Sequence, residues 1–513
     1  MAVGHRRLRA CLMLVSACVF SLTVFQALDL GMHETIPQPI GRHSALLGIA
    51  ISDLMYGSRG YVGFARVHDG LIQDGLTNVP DNLRRRNKTL SELLTHGPTL
   101  QRALDRSTQL EIQDTDQTYI LAREDVGLAT FYKYALAIFG VRLSSFLFLY
   151  VSILAVSLVA FSLAFRRRTE LLHLLVLFVC AHYATVTSAH DVGIPLQTVH
   201  NSRFLSVLAI LPALHLAVLV VGRSRPTLFH ISAAAIQVGI LMLAIHARSS
   251  ASSYVFAVAL VALLALAWHQ CKAPSLGSHV FSTIAIWPVV LLLGGYGLLR
   301  LHLVTGTDPS YSSATSRHLF WDTIYKGLGT SEFLRREYGI EWGRDSVVFE
   351  KARSIARARG EEGVISYERH EEIIRSEYLR ILSESPMAVI ANYLSKPLHF
   401  VSAYAVRPFN GIRNALSMIL AVAVAVGGIL AGGRILWRWR SSLSIMVALL
   451  GFSFLPNVLF VPAPHVISEP SLITTMLLYL IPTLGAVILV ERRRAGLHSS
   501  IVGNEDVAPR YGA

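Results

Sequence analysis

Apolar and polar positions alternate along this chain at two scales. At the coarser scale, apolar residues form blocks of about twenty, the length a helix needs to cross a ~30 Å hydrocarbon core. The blocks fall roughly at 11–29, 137–165, 170–188, 204–222, 226–246, 252–269, 280–301, 412–432, 441–462 and 471–490. Two are weaker: 170–188 carries His173 and His182, and 226–246 carries His230 and Gln237. At the finer scale, the polar segment between the seventh and eighth blocks has a helical period. Val348, Ala352 and Ile355 share one face over 345–358, and Ile374, Tyr378 and Ile381 share one over 367–385, where Pro386 breaks the pattern. The run from Met387 to Phe400 is apolar but interrupted by Lys396 and Pro397, and too short to span. It predicts a helix lying at the membrane interface.

The expected fold is therefore an all-α polytopic membrane protein, with about ten transmembrane helices and two exported, mainly helical segments. Residues 1–29 hold the first transmembrane helix and 30–136 the first exported loop. Helices two to seven occupy 137–301, the second exported segment 302–411, helices eight to ten 412–490, and a cytoplasmic tail 491–513. The first loop predicts a short amphipathic helix over 43–56, built on Leu46, Leu47, Ile49, Ala50, Leu54 and Met55. A turn-rich stretch to Asn82 and surface helices over 83–112 follow it. Asn87-Lys88-Thr89 matches a glycosylation acceptor, a short motif of little weight.

Composition agrees with this division, with 53% hydrophobic and 15% charged residues. The net charge of +13 would suit nucleic acid, but much of the excess lies in short clusters at block ends. These are Arg6, Arg7 and Arg9; Arg166, Arg167 and Arg168; Arg223 and Arg225; Lys272; Arg434, Arg438 and Arg440; and Arg492, Arg493 and Arg494. With ten spans all of them share one side, which the positive-inside rule makes cytoplasmic, together with both termini. No nucleic-acid partner is expected; the bilayer is. Cys11, Cys18, Cys180 and Cys271 lie within or at the ends of apolar blocks, so neither disulfides nor a thiolate metal site is expected. The basic start and apolar run of residues 1–28 lack a small-x-small cleavage site and read as an uncleaved first span.

Polar residues collect at three exported places beside membrane entry points. The first holds Asp53, His68 and Asp69. The second holds Arg317, His318, Trp321, Asp322 and Tyr325, with the loop from Tyr338 to Asp345. The third is the loop carrying His465 and Glu469, which His190, Asp191 and His200 would join. An Asp at the membrane surface suits a general base for a hydroxyl, and an adjacent Arg or His suits a phosphate. Lys396 and Arg407, near the eighth span, are further candidates for a lipid phosphate, or cations that snorkel to headgroups. Plainer roles stand beside these. Asp69-Gly70 and Asp74-Gly75 are ordinary turn dipeptides, and His318 with Asp322 is an i,i+4 pair that suits a salt bridge or cap. His182 and His230 read as helix–helix hydrogen-bond partners. There is no HExxH and no exported His pair at i,i+4, which disfavours zinc. No cofactor is expected, and spacing leaves open a magnesium or manganese ion held by Asp residues and a substrate pyrophosphate. No GxGxxG, P-loop or GxSxG sits in a strand–turn–helix setting.

The stretch from Glu377 through Pro386 to Phe400, an amphipathic helix ending at a proline and followed by a basic interfacial helix, resembles the GT-C superfamily of membrane glycosyltransferases. The architecture is most similar to its bacterial envelope-modifying members. The resemblance implies a polyprenyl-phosphate-linked sugar donor, an envelope glycan or lipid acceptor, and inverting transfer at the outer face of the bacterial inner membrane. It also implies a catalytic base in the first exported loop: Asp69, or Asp53 in its place. The chain departs from the family pattern in lacking an acidic pair just after the first span, where Asp29 and Glu34 stand apart. His318 to Gly329, with Tyr338-Gly339-Ile340, also resembles an uncharacterised family of bacterial multi-spanning membrane proteins. The alternative is a non-catalytic transporter or accessory subunit in envelope assembly. Span interiors almost free of charge favour the enzyme.

Overall fold

A backbone buried in hydrocarbon can satisfy its hydrogen bonds only within its own segment, so long apolar blocks must be helical. The computed structural model describes residues 2–32, 50, 126–140, 144–191, 205–222, 227–272, 278–305, 320–341, 345–361, 365–405 and 411–431, with scattered residues between 472 and 489. The first group of helices is α1 (Ala2–Met32), α2 (Val126–Phe139), α3 (Ser144–Ala164), α4 (Thr169–Asp191), α5 (Ile210–Val221), α6 (Leu228–Ala247), α7 (Ser253–Lys272) and α8 (Ser278–Thr305). Among the described residues five helices are long and apolar enough to cross a bilayer, over 6–26, 145–164, 169–188, 228–247 and 286–303, as befits a helical membrane protein. Those over 206–221, 253–267 and 412–424 are apolar but shorter. The predicted span over 441–462 and nearly half of that over 471–490 lie outside the described residues, as does nearly all of the first exported loop up to residue 125.

One boundary differs from the sequence reading. The span read over 137–165 is α3 and starts later, with residues 137–139 closing α2, because Gly140, at φ +88°, turns the chain between α2 and α3. The Ser145 hydroxyl donates to the Gly140 carbonyl at 2.5 Å and closes the corner. Before that turn, α2 buries Leu128, Phe131, Tyr132, Ala135 and Leu136 in the apolar core of the bundle.

Interhelical polar contacts fix the helix directions. Arg9 Nη1 reaches the Arg167 carbonyl at 3.5 Å, and at the other end of the pair the Thr187 hydroxyl donates to Gln26 Oε1 at 2.5 Å. Helices α1 and α4 therefore run parallel. Between them in sequence, α3 runs the opposite way, with Tyr150 OH at 2.7 Å from His182 Nε2. Ser157 and Gln237 exchange two hydrogen bonds, at 2.8 and 2.9 Å, joining α3 to α6. Near its end α6 meets α8, where the His246 and His302 rings lie 6.1 Å apart. It also meets the start of α2, where the Thr130 hydroxyl is 3.1 Å from His246 Nε2. His182 thus bonds across helices as expected. His230 instead pairs at 3.0 Å with Thr227, the N-cap of its own helix, because a capping hydroxyl lies within reach three residues away.

A second, separate apolar core belongs to the polar segment. It is built from α9 (Phe320–Leu328), α10 (Glu332–Tyr338), α11 (Asp345–Ala358), α12 (Tyr367–Glu384) and α13 (Pro386–Ala405). The helical period places Val348, Ala352 and Ala356 of α11 against Ile373, Ile374, Tyr378 and Ile381 of α12. Ser331 and Ser366 cap α10 and α12 by accepting the Leu334 and Arg369 amide hydrogens, and Gly339, at φ +64°, ends α10. Pro386 ends one helix and opens the next, since proline at a first helical position gives up no hydrogen bond. Lys396 and Pro397 do not interrupt α13, which runs to Ala405.

Helix α14 (Ile412–Ala431) lies antiparallel to α4: Asn414 Nδ2 donates to the Ser188 hydroxyl at 2.8 Å, and Ser417 to the Cys180 carbonyl at 2.7 Å. Its first turn therefore sits at the Gln26–Ser188 end of the bundle, away from Arg9 and Arg167. The end of α8 lies there too, since His302 approaches His246, which bonds Thr130 of α2, and Tyr132 two residues on packs against Phe146 near the start of α3. Both attachments of the helical unit 320–405 are thus at the end opposite the first two basic clusters.

Candidate functional site: a buried carboxylate cluster in the helical unit

The amphipathic spacing of α9 turns Asp322, Ile324, Tyr325 and Leu328 inward together. An inward aspartate must find cationic or hydrogen-bonding partners, because burying an unpaired charge costs several kcal/mol. Asp322 finds two. Lys326, one turn on, places Nζ 2.6 Å from Oδ2, and His370 on α12 places Nε2 3.2 Å from Oδ1. All three side chains are at least nine-tenths buried. The His370 ring stacks on Phe349 of α11, with centroids 4.1 Å apart. With Nε2–H donating to Asp322, Nδ1 carries the lone pair, and it has no hydrogen-bond partner among the described residues. The next residue, Glu371, caps α9: its two oxygens accept the Trp321 and Asp322 amide hydrogens at 2.9 and 3.1 Å. A carboxylate at a helix N-terminus also meets the positive end of the helix dipole. One dipeptide of α12 thus holds both the side chain and the helix end of the Asp322 turn.

Beyond this cluster, Asn392 of α13 donates to the Gly327 carbonyl at 3.1 Å. The Tyr378 and Tyr393 hydroxyls are 3.0 Å apart, and Lys396 Nζ lies 4.4 Å from the Tyr393 ring centre. Lys396 is fully buried, and that burial lowers its ammonium pKa to about 7. Burial, with Glu377 nearby, raises the Tyr325 phenol well above its usual range, so it stays protonated; its hydroxyl has no hydrogen-bond partner among the described residues. Glu377 is held below the usual carboxylate range by two hydrogen bonds from Arg380, at 2.8 and 3.0 Å.

Of the sequence candidates, the structure brings Asp322, Tyr325 and Lys396 into this one unit, and Asp345 opens α11. Asp53, His68, Asp69, Arg317, His318, Arg407, His465 and Glu469 lie outside the described residues. The described i,i+4 partner of Asp322 is Lys326, toward the C-terminus, whereas the sequence reading paired it with His318. Lys326 was legible by that same spacing. His370 and Glu371 were not, since only the packing of α12 on α9 brings them close. Chemically, the Asp322 carboxylate joins the imidazole and the lysine side chain, with both of its oxygens engaged inside the unit. No set of three or more His, Cys, Asp or Glu side chains placed to hold a metal ion occurs among the described residues. No protein-family model, curated protein or solved structure matches the chain.

Proposed function

We propose that this protein transfers a sugar from a polyprenyl-phosphate-linked donor to an envelope glycan or lipid acceptor, at the membrane face that carries its helical unit. The observation supporting this reading is the attachment of unit 320–405, through α8 and α14, to the bundle end opposite Arg9 and Arg167. By the positive-inside rule that end is periplasmic in a bacterial inner membrane, with both termini cytoplasmic. A polar unit fixed at that surface is within reach of lipid-linked phosphates and their sugars. In this reading Asp69 takes the proton from the acceptor hydroxyl, with His68 beside it and Asp53 as its substitute. Arg317, His318, Lys396 and Arg407 supply cations for the donor phosphate.

The arrangement around Asp322 favours a second reading, a non-catalytic accessory subunit. Its carboxylate is buried and both its oxygens are engaged, as befits a structural junction. Reconstitution of the full chain in vesicles with a panel of polyprenyl-phosphate sugars, with and without magnesium or manganese, separates the two. The transferase reading predicts turnover by the native chain, and loss of turnover with retained donor binding in Asp69→Asn. A native chain that binds no donor and turns over none contradicts it.

A further inference from the structure

Helix α13 has two faces of opposite character. Val389, Asn392 and Lys396 are buried against the helical unit, and Asn392 ties that face to α9. On the other side Met387 is 74% exposed, Ile390 48% and Leu394 73%, one helical stripe with no charge in it. The exposed faces of the neighbouring helices are charged: Glu350, Arg353 and Arg357 on α11, and Glu368, Glu372, Arg375 and Glu384 on α12. Elsewhere in the unit Phe320, Phe333 and Leu379 are exposed one to a helix, on α9, α10 and α12, whereas three large apolar side chains in one uncharged stripe indicate a surface that something apolar covers.

We infer that the stripe Met387, Ile390 and Leu394 is inserted in the lipid of the bilayer surface, so that α13 seats the helical unit on the membrane. The bilayer is the occupant because the chain leads from α13 toward a surface of the same kind. Only residues 406–410 separate Ala405 from Gly411, a gap that even a fully extended chain limits to roughly 20 Å. Beyond it, α14 exposes Ile412, Leu416 and Ile419, at 80%, 57% and 58%, on an apolar helix packed into the bundle through Asn414 and Ser417. An uncharged helical face on the helix that precedes such a segment has the character of an interfacial segment, which buries its apolar side about 5–10 Å deep. The buried face then fixes which side of the unit, with Gly327 and the Asp322 turn, lies nearest the lipid. This inference stands whether or not the protein transfers a sugar.

Its test uses the full chain in lipid vesicles, in a background with the native cysteines replaced. Nitroxide labels are placed at Leu394→Cys and, as a control, at Arg357→Cys on the charged face of α11. The expected result is a Leu394 label relaxed by oxygen and shielded from a water-soluble nickel chelate, and an Arg357 label with the reverse pattern. A Leu394 label as open to the chelate as the control overturns the inference. So does a label shielded equally in lipid and in detergent with spin–spin broadening, which would mean that a second copy covers the stripe. Equal shielding without broadening overturns it too, pointing to cover by another part of the chain.

Discussion

Asp322 and Lys326 illustrate how burial changes the worth of an ion pair. Both are buried, with His370 completing the set, whereas the Arg336–Glu332 pair on α10 is exposed to solvent on both sides. Breaking a buried pair leaves an uncompensated charge and costs about 3–5 kcal/mol, while an exposed helical pair is worth about 0.3–0.5 kcal/mol. Asp322→Leu should therefore destabilise the helical unit by about that larger amount, and Glu332→Gln should be nearly silent. The double variant Asp322→Leu/Lys326→Met should recover much of the loss, because it leaves no buried ammonium. Urea-dependent proteolysis of the detergent-solubilised chain reads all three; equal sensitivity of Asp322→Leu and Glu332→Gln would contradict the description of the cluster. Lys396 gives a pH signature. Its folded pKa of about 7 lies below the ordinary lysine value, so between them the unfolded chain binds more protons than the folded one. Stability should thus rise as pH increases from about 7 toward the ordinary lysine value near 10.4, and Lys396→Met should flatten that rise. A native chain and a Lys396→Met variant with identical pH profiles would show that the amine is solvated in the folded state.

Between helices, α2 and α6 approach closely at Gly127. A β-carbon there would lie 2.1 to 2.5 Å from backbone atoms of His246 and Ala247, so α2 and α6 touch main chain to main chain. Gly127→Ala must push the two helices apart and should cost about 1–3 kcal/mol. Gly239, inside α6, has nothing within 4 Å of its β-carbon position, and Gly239→Ala should be neutral or stabilising, since alanine is the better helix former. Thermal aggregation onsets in detergent would rank the two; a Gly127→Ala chain as stable as the parent would mean that the contact is loose. This contact also marks where the sequence stopped being informative. Helix positions were legible because membrane length and a 3.6-residue period leave few alternatives, as at Leu228–Ala247 against the predicted 226–246, and in the faces of α11 and α12. The corner at Gly140 was not read, because Gly140 and Arg142 sit within a mainly apolar stretch and neither residue alone must end a helix. Likewise Lys326 was readable from spacing, but His370 and Glu371, nearly fifty residues away, meet Asp322 only through tertiary packing.

For the molecule as a whole, the described contacts arrange the charges by end. Arg9 and Arg167 meet at one end, and the other receives both attachments of the helical unit. That polarity was anticipated from the basic clusters; the structure adds the helix directions that produce it. The proposed lipid-linked chemistry requires the unit and the clusters to lie on opposite sides of the membrane. The most direct test is paired thiol labelling in right-side-out membrane vesicles, using a membrane-impermeant reagent and the full chain with its native cysteines replaced. Arg357→Cys, exposed on α11, should label in intact vesicles, and Arg167→Cys, exposed beside the basic end, only after permeabilisation. Labelling of both positions before permeabilisation, or of Arg167→Cys alone, would contradict the account.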